Sequence, residues 1–289
     1  MNIKLTIDKV KLALMKRTGS ANNKKTITSW KDKHYNNAPR ISFVIQSHNK
    51  SLQVCQIVDL LRKCPDSEII VMDDGSTPEH TKRIAAHLTG ANEFMLRAND
   101  LYENVMYDRA IRIANARYVA LMQDDDIFDN MDWAEEALRL FAEHPQMAIL
   151  GGMDGLHIIF PEGRIRGESI TAGTTGFRFV EAVNRAPMWI DRELFLKELK
   201  HIDFSLAPYQ YDDYELCMRA WLCGLQVGWY KAGGRSLSVG GMRLWNNKVT
   251  AHLCVVNGKN LNGRYADKIE GIRKMVEEAN KEFVNKNYK

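Results

Sequence analysis

Short apolar segments alternate with amphipathic segments between Pro39 and Gly151, and this rhythm constrains the fold more than any other feature. The apolar segments predict strands at Ile41–Ile45, Glu68–Met72, Glu93–Leu96, Tyr118–Met122 and Ala148–Leu150. The segments between them predict helices at Leu52–Lys63, Pro78–Leu88, Val105–Ala116 and Trp133–Ala142. Strands that alternate with helices in this way indicate an α/β domain with a mostly parallel central sheet flanked by helices.

The rhythm ends after Gly151. Glycines and short apolar pieces dominate to about Gly176, a helix is predicted at Tyr214–Cys223, and a charged helix is predicted from about Ala266 to Lys289. We therefore expect an extension at residues 1–38, a domain at 39–260 with halves 39–150 and 151–260, and a C-terminal helix at 261–289.

Charge is distributed unevenly along the chain. The 289 residues carry a formal net charge of +4, but residues 1–40 alone carry +8 and the remainder carries −4. Since the body is slightly acidic and has no recognisable binding motif for nucleic acid, we expect no nucleic-acid partner. Within the basic arm, apolar residues recur at helical spacing between the lysines, at Ile3, Ile7, Val10 and Leu14.

The basic arm has three interpretations. It is a solvated extension, a helix that docks on the body or on a partner subunit, or a helix that lies on an anionic membrane surface through residues 1–17. The chain has no apolar run of the roughly 18–20 residues that a membrane-spanning helix needs, and we recognise no secretory signal. The five cysteines form no C-x-x-C pair, which favours a reducing compartment. We expect a cytoplasmic protein, with contact at the inner face of a membrane under the third interpretation.

The sharpest motif is a run of three carboxylates, Asp124-Asp125-Asp126, directly after the strand predicted at Tyr118–Met122. Crowded like charges raise one another's pKa unless a cation neutralises them, and oxygen-rich clusters suit Mg²⁺ or Mn²⁺. In open α/β sheets, ligands bind at the carboxyl ends of strands. The alternative is a solvated loop that also caps the helix beginning near Asp132.

Two further polar motifs follow predicted strands, at Asp73-Asp74-Gly75-Ser76-Thr77 and at Gln46-Ser47-His48-Asn49. In the first, a carboxylate can accept hydrogen bonds from a base N–H or a ribose hydroxyl. Its plainer interpretation is a turn between strand and helix with a Ser or Thr cap. The second motif either lines a nucleotide pocket or forms a polar loop.

The last motif, Tyr211-Asp212-Asp213-Tyr214-Glu215, opens the helix predicted at Tyr214–Cys223. The helix dipole favours acids in a first turn, and Glu215 with Arg219 is an ordinary i,i+4 pair. The functional interpretation is a general base near the metal site.

Together these motifs resemble those of the inverting glycosyltransferases of family 2, which have the GT-A fold with a Rossmann-like sheet and a smaller acceptor-side region. In that family the corresponding stretches read roughly V-I-I-P-T-Y-N, V-V-D-D-G-S-T, Y-I-x-F-L-D-x-D-D and E-D-x-D-L-x-x-R-A. In this chain they read Phe43–Asn49, Val71–Thr77, Tyr118–Asp126 and Asp212–Ala220. The four motifs occur in the family's order and cover residues 40–228.

The resemblance implies roles in binding a nucleotide-diphosphate sugar, with a UDP-sugar favoured. Asp74 matches the residue that holds the base of the nucleotide. Gln46 and His48 fall where the family's base-contacting residues lie, and Arg97 falls where a basic residue often meets the nucleotide.

The resemblance also implies the metal ligands and the catalytic base. Asp125 matches the carboxylate near the ribose and the metal, and Asp126 matches the main ligand of Mn²⁺ or Mg²⁺. Asp124 shares the ion if the literal D-x-D of this chain is used. Asp213 matches the general base that deprotonates an acceptor hydroxyl.

Three positions depart from the family pattern. Gln46 replaces Pro and His48 replaces Tyr, so stacking on the base would differ. Gln123 replaces the first Asp of D-x-D-D, which leaves open which of the three aspartates holds the ion. The A-R-N segment before the fourth strand becomes Met106-Tyr107-Asp108.

The implied activity is transfer of a sugar to a hydroxyl of a glycan or lipid-linked acceptor with inversion, in glycan or cell-surface polysaccharide synthesis. Candidate acceptor contacts in the second half are Trp189, Arg185, His157 and Trp245, since a tryptophan face can stack on a sugar ring. Two alternatives remain. One is an inactive sugar- or nucleotide-binding domain, and the other is a sugar nucleotidyltransferase, against which the absence of glycine in Gln46–Ser51 counts.

Overall fold

The computed structural model describes residues 6–7, 9–11, 13–14, 34–185, 187–236 and 247–287, without the side chains of residues 247 and 284–287. It has two compact units, Met1–Asn37 and Ala38–Lys289. In the first unit, the described residues between 6 and 14 are helical, and the side chains of Ile7, Val10 and Leu14 are exposed.

The second unit alternates strands and helices as far as β6. Its strands are β1 Ile41–Ser47, β2 Ser67–Asp74, β3 Glu93–Ala98, β4 Tyr118–Gln123, β5 Asp126–Ile127, β6 Met147–Gly151, β7 Gly155–Ile159, β8 Arg166–Ser169, β9 Arg178–Phe179, β10 Ala182–Val183, β11 Met188–Asp191, β12 Gln226–Trp229 and β13 Arg235–Ser236. Its helices are α1 Ser51–Leu61, α2 Pro78–His87, α3 Tyr102–Ile113, α4 Asp132–Glu143, α5 Asp212–Leu222, α6 Asn247–Tyr265 and α7 Ile269–Asn287. Short helical turns lie at Pro161–Gly163, Arg192–Leu194, Phe195–Leu199 and Phe204–Leu206.

Eight strands of the described residues form one sheet in the order β3-β2-β1-β4-β11-β6-β12-β9. Strands β3, β2, β1 and β4 are parallel, which confirms the prediction of an α/β domain with a mostly parallel sheet. The alternation of apolar and amphipathic segments did not predict β11, which runs antiparallel between β4 and β6. Strand β11 comes from the second half of the chain, so the two halves share one sheet. Described residues also form a three-stranded sheet, β10-β7-β8, and the pair β13-β5.

The central strands are buried on both faces. Ile41, Phe43, Val44 and Ile45 of β1 have no exposed surface, which explains why this strand is a continuous apolar run in the sequence. Trp133 of α4 packs against β1, with its ring centroid 5.8 Å from that of Phe43. Close packing on both faces of the sheet therefore fixes the positions of the carboxyl ends of these strands.

Trp189 lies in this core and not in an acceptor site. It is fully buried in β11, and its ring centroid is 5.3 Å from that of Trp133. Its Nε1–H donates a hydrogen bond to the hydroxyl of Tyr230 at 3.0 Å. Because no face of the ring reaches the surface, the expectation that Trp189 contacts an acceptor is wrong.

Two helices, α6 and α7, close the chain where the sequence predicted one from about Ala266. Helix α6 was missed because its apolar residues do not form one stripe: Val249 and Val256 are exposed, whereas Asn257 is buried. Gly258 and Gly263 also lower its helix propensity. A boundary at residue 260 would divide α6. Among the described helices, none combines the length and apolar character needed to cross a membrane.

Candidate active site

The polar motifs of the first half meet at the carboxyl ends of adjacent parallel strands. In the register of the sheet, Ser47 of β1 lies beside Asp73 of β2, which lies beside Arg97 of β3. Gln46 of β1 lies beside Gln123 at the end of β4. This edge is where open α/β sheets bind ligands, so the fold brings the predicted donor-side motifs to one place.

Asp74 is fully buried and joins β2 to the start of α3. Its Oδ1 accepts the backbone N–H of Leu101 at 3.0 Å, and its Oδ2 accepts that of Tyr102 at 2.8 Å. Asp74 therefore orders the first turn of α3 beside the predicted nucleotide site.

Asp73 lies in the same motif as Asp74, although its sequence position alone indicates no role for it. It is fully buried, and neither carboxylate oxygen has a hydrogen-bond partner among the described residues. Arg97 is the nearby cation, with Nε 3.5 Å from Asp73 Oδ2 and Nη2 donating to the carbonyl of Ser76 at 2.8 Å. The sequence did contain a signal that separates Asp73 from Asp74. Because side chains alternate along a strand, Asp73 and Asp74 point to opposite faces of the sheet and must have different surroundings.

His48 connects the motif after β1 with both acidic motifs. Its backbone N–H donates to Asp124 Oδ2 at 2.8 Å, and its Nδ1 donates to the carbonyl of Asp74 at 2.8 Å. Nε2 then accepts from the Asn49 amide at 2.9 Å, which fixes the tautomer with the proton on Nδ1. Both edges of the imidazole are thus occupied, and a ligand could approach only its ring face.

Asp124, Asp125 and Asp126, hereafter the acid cluster, are all buried at the end of β4. Besides the N–H of His48, Asp124 has Lys50 Nζ 3.6 Å from its Oδ1. Asp126 Oδ2 accepts the backbone N–H of Gln123 at 2.7 Å. Asp125 Oδ2 accepts the hydroxyl of Ser236 at 2.6 Å, which ties β13 to the cluster.

Burial makes the ionised forms of this cluster costly. The pKa of Asp126 is raised to about 7, mainly by burial and also by the charges of Asp125 and Asp124. The hydrogen bond from the N–H of Gln123 opposes this shift. Burial also raises the pKa of Asp124, opposed by the N–H of His48 and by Lys50. A cation near these oxygens would stabilise their charged forms.

The acid cluster fits a divalent ion that a substrate helps to hold. No group of three His, Cys, Asp or Glu side chains arranged to hold an ion occurs within the part of the chain that the structure describes. Mg²⁺ is commonly bound by one or two carboxylates together with substrate phosphates and waters. The buried, mutually repelling carboxylates of Asp124 and Asp126 match that donor set.

On the second half, Asp212 and Asp213 form the first turn of α5. Asp213 is half-buried, and its Oδ1 accepts the N–H of Tyr214 at 2.9 Å. Burial raises the pKa of Asp213 to about 7, with Arg185 opposing the shift and Asp212 and Glu103 adding to it. A carboxyl group with a pKa near neutrality suits general-base chemistry at physiological pH.

Arg185 links the two halves instead of facing an acceptor. Its guanidinium pairs with Asp212, donates to Glu103 Oε2 at 3.2 Å and lies 4.8 Å from the ring centroid of Tyr107. Gln123 Nε2 donates to the other oxygen of Glu103 at 3.3 Å. A continuous path of polar contacts therefore runs from the residue before the acid cluster to the start of α5. With only 7% of its side chain exposed, Arg185 does not fit the expected role as an acceptor contact.

Of the two other candidate acceptor residues, the structure describes only His157. His157 Nδ1 lies 2.7 Å from Glu181 Oε1, and Arg273 of α7 contacts the same carboxylate oxygen at 3.3 Å. These contacts place His157 against α7. Trp245 lies outside the described residues.

Comparison with known protein families identifies part of this chain. The model of the family "Glycosyl transferase family 2" matches residues 42–181, which include β1 to β4 and the acid cluster. A sequence comparison with curated proteins finds no match. The match ends before Asp213, so it does not bear on the predicted base.

Solved structures of glycosyltransferases share the fold. They include S. aureus TarS 1–349 in complex with UDP-GlcNAc, at 16% identity and a TM-score of 0.51 over 66% of this chain and 56% of that chain. The mannosyltransferase PcManGT from Pyrobaculum calidifontis with GDP-Man and Mn²⁺ has 15% identity and a TM-score of 0.50 over 69% and 59%. GalNAc-T7 with UDP, GalNAc and Mn²⁺ has 16% identity and a TM-score of 0.57 over 68% and 43%.

The chain thus spans between 43% and 59% of the length of these three structures. At such identities the likeness concerns the fold, and the family match concerns the first half of the domain. The parallel sheet, the motifs at its edge and the match over residues 42–181 agree with one another. Residues 42–181 of the chain match glycosyl transferase family 2, and its fold is the GT-A fold of the solved glycosyltransferases.

Proposed function

We propose that this chain transfers a sugar from a nucleotide-diphosphate donor to an acceptor hydroxyl with inversion, with Asp213 as the general base. The observation that carries the proposal is the path Gln123–Glu103–Arg185–Asp212, because it connects the acid cluster with the first turn of α5. A two-substrate transfer requires the donor and the base to be held in a fixed geometry, and this network connects the elements that carry them.

The chemistry assigned to Asp213 is a single proton transfer. Asp213 accepts the proton of the acceptor hydroxyl while that oxygen attacks the anomeric carbon. The bond from the anomeric carbon to the diphosphate oxygen breaks on the opposite face, and its electrons leave with the nucleotide. One base acting on one face inverts the anomeric configuration without a covalent sugar–enzyme intermediate.

A divalent ion, Mn²⁺ or Mg²⁺, belongs to this proposal. Asp124 and Asp126 would hold it, with Asp125 near the ribose. When bound, the ion stabilises the negative charge that develops on the leaving diphosphate. Mn²⁺ accompanies the nucleotides in the structures of PcManGT and GalNAc-T7, which supports the choice.

A UDP-sugar is the donor we propose, because TarS binds UDP-GlcNAc and GalNAc-T7 binds UDP in their structures. Asp74, Gln46 and His48 would contact the base, and Arg97 would meet the nucleotide from β3. The proposed acceptor is a glycan or a lipid-linked sugar in cell-surface polysaccharide synthesis, with His157 and Trp245 as remaining candidate contacts.

Nucleotide binding with and without Mn²⁺ tests the donor half of the proposal. Asp126→Asn keeps an oxygen that can accept the N–H of Gln123 but removes the charge. We expect it to weaken the binding of UDP in Mn²⁺ at least about tenfold, since even indirect partners of metal ligands contribute that much. Isothermal titration calorimetry of wild type and variant, with Mn²⁺ and with EDTA, measures the effect.

Asp129→Asn is the matched control for this titration, because Asp129 is 75% exposed and pairs only with Arg235 in the described contacts. It should bind UDP as the wild type does. Equal affinity of wild type and Asp126→Asn in Mn²⁺ would remove Asp126 from the metal site.

The exposed apolar residues of the first unit support a proposal about location, namely cytoplasmic action at the inner face of a membrane. Ile7, Val10 and Leu14 have helical backbone and solvent-exposed side chains, and lysines flank them in the sequence. We expect the full chain to sediment with vesicles that contain phosphatidylserine, since each lysine near such a surface contributes about 1 kcal/mol.

Co-sedimentation of the full chain and of a variant lacking residues 1–37 measures this contact. Phosphatidylcholine vesicles serve as the uncharged control. The truncated chain should stay in the supernatant with both vesicle types. If it sediments as well as the full chain, the arm is not the membrane contact.

A further inference from the structure

The loop that leads into α5 has a costly backbone conformation. Gln210 (φ 82°) and Tyr211 (φ 67°) are both left-handed, although neither is glycine. Non-glycine residues held in such conformations are strained and persist only where their surroundings hold them. Tyr211 immediately precedes Asp212 and Asp213, and its side chain does not cap the helix. The orientation of Asp213 therefore depends on whatever fixes these two residues.

Asn257 of α6 holds this loop through its side-chain amide. Its Nδ2 donates to the carbonyl oxygens of Leu206 at 3.0 Å, Tyr209 at 3.1 Å and Gln210 at 3.2 Å. The two amide hydrogens are thus shared among three backbone acceptors. Asn257 is only 2% exposed, so water does not compete for these bonds. One side chain satisfies the buried carbonyls on the inner side of the turn.

Helix α6 contacts the same loop at two further points, and α3 also contacts it. The hydroxyl of Tyr209 lies 3.1 Å from Thr250 Oγ1, and Cys254 Sγ lies 3.6 Å from Gln210 Oε1. On the α3 side, the N–H of Asn104 donates to the carbonyl of Pro208 at 3.3 Å. The ring of Tyr209 also stacks on Tyr102, with centroids 6.0 Å apart.

We propose that Asn257 is a positioning residue for the reaction, which fixes the left-handed turn at Gln210–Tyr211 and thereby the placement of Asp213. The inference rests on the proposed function of Asp213 as the base. It assigns a role to α6, a helix outside the family match at residues 42–181. Asn257 itself touches neither substrate nor reacting atoms.

A purely structural role for Asn257 makes a different prediction. If it only stabilised the fold, its loss would reduce the folded fraction, and nucleotide binding and turnover would fall together. A positioning residue affects turnover alone, because the proposed nucleotide contacts lie at the carboxyl ends of β1, β2, β3 and β4 and not in this loop. A displacement of about 1 Å at a reacting group can cost roughly a hundredfold in rate.

The test compares Asn257→Leu, which keeps the approximate shape but donates no hydrogen bond, with Asn260→Leu on the same helix. Asn260 contacts Arg264 at 3.4 Å and makes no bond to the loop in the described contacts. For Asn257→Leu we expect kcat for transfer to fall about 10- to 100-fold, with the donor KM and the stoichiometry of UDP binding unchanged. Asn260→Leu should retain the wild-type kcat.

Hydrogen–deuterium exchange supplies a readout that needs no turnover. The N–H of Glu215 donates to the carbonyl of Tyr211 at 2.9 Å, so it reports on the turn. In Asn257→Leu we expect faster exchange over residues 209–215 and unchanged exchange in β1 and β2. If Asn257→Leu fails to fold, Tyr209→Phe removes only the hydroxyl contact with Thr250 and should show the same pattern at smaller amplitude.

The outcomes separate this inference from the proposed function. Unchanged exchange over residues 209–215 overturns the inference, and so does faster exchange with an unchanged kcat. Equal losses of UDP-binding stoichiometry and kcat also overturn it, because they indicate general damage. If the wild type transfers no sugar, the proposed function fails and the positioning role fails with it, while the exchange data still decide whether Asn257 holds the turn.

Discussion

Replacing Asp213 with Asn is expected to lower the rate of sugar transfer about 100- to 10,000-fold, the range that general-base catalysis contributes. The amide cannot accept the proton of the acceptor hydroxyl, but its oxygen can still accept the N–H of Tyr214. The first turn of α5 therefore keeps its local hydrogen bond. Initial rates of nucleotide release with donor and acceptor present measure the loss.

The pH dependence gives this prediction a second readout. Only the deprotonated carboxylate acts as a base, and the pKa of Asp213 is raised to about 7 by its burial. The wild-type rate should therefore rise with pH through about 7 and level off above it. The residual rate of Asp213→Asn should lack that limb. UDP affinity should stay at the wild-type value, since the nucleotide contacts lie on the other half. A variant with near-normal turnover would show that another group is the base.

The second large effect is expected on stability, from Arg185→Met. Arg185 neutralises the buried carboxylate of Asp212 and the partly buried carboxylate of Glu103, and methionine would leave both without their cation. Removing one partner from a buried ion pair commonly costs about 3–5 kcal/mol in the free energy of unfolding. Chemical denaturation of wild type and variant measures the difference.

The loss should depend on pH in a definite direction. Burial already raises the pKa of Glu103, and Arg185 opposes that shift. Without Arg185 the folded pKa of Glu103 rises further above its unfolded value, so the folded state binds the proton more tightly. Stability from such a group is present below the unfolded pKa and is lost as pH rises through the folded pKa. The deficit of Arg185→Met should therefore be smaller near pH 5 than near pH 8.

Arg139→Met is the control for this experiment. Arg139 pairs with Glu136 and Glu143 on the exposed face of α4, where an ion pair contributes about 0–1 kcal/mol. Its loss should be small and nearly independent of pH. Adding Glu103→Gln to Arg185→Met should recover part of the stability. Equal effects of Arg185→Met and Arg139→Met would contradict the account of Arg185 as a buried link.

Much of the first half could be predicted from the sequence because its signals are local. The apolar run at Ile41–Ile45 corresponds to β1, and Pro78 begins α2 as predicted. Strand β11 could not be predicted in its place, because its pairing with β4 joins residues about 70 positions apart. No periodicity within Met188–Asp191 specifies such a partner. Helix α6 was missed for the related reason that its buried face carries the polar Asn257.

The candidate site divides in the same way. Motifs at strand ends, such as Asp74 and the acid cluster, are recognisable because topology alone brings those ends together. Glu103 and Arg185 are not recognisable, because their significance lies in contacts between the halves. Trp189 and Arg185 were assigned to an acceptor by residue type, and burial in the structure overrides that assignment.

The most direct test of the account is nucleotide release from a panel of UDP- and GDP-sugars in Mn²⁺, with wild type and Asp213→Asn measured side by side. We expect the wild type to release nucleotide from at least one donor, with a UDP-sugar favoured. An added acceptor should stimulate the wild type and leave Asp213→Asn almost unaffected. If the wild type neither turns over nor binds any of the donors, the chain is an inactive member of the family. Equal stimulation of both proteins by the acceptor would contradict Asp213 as the base.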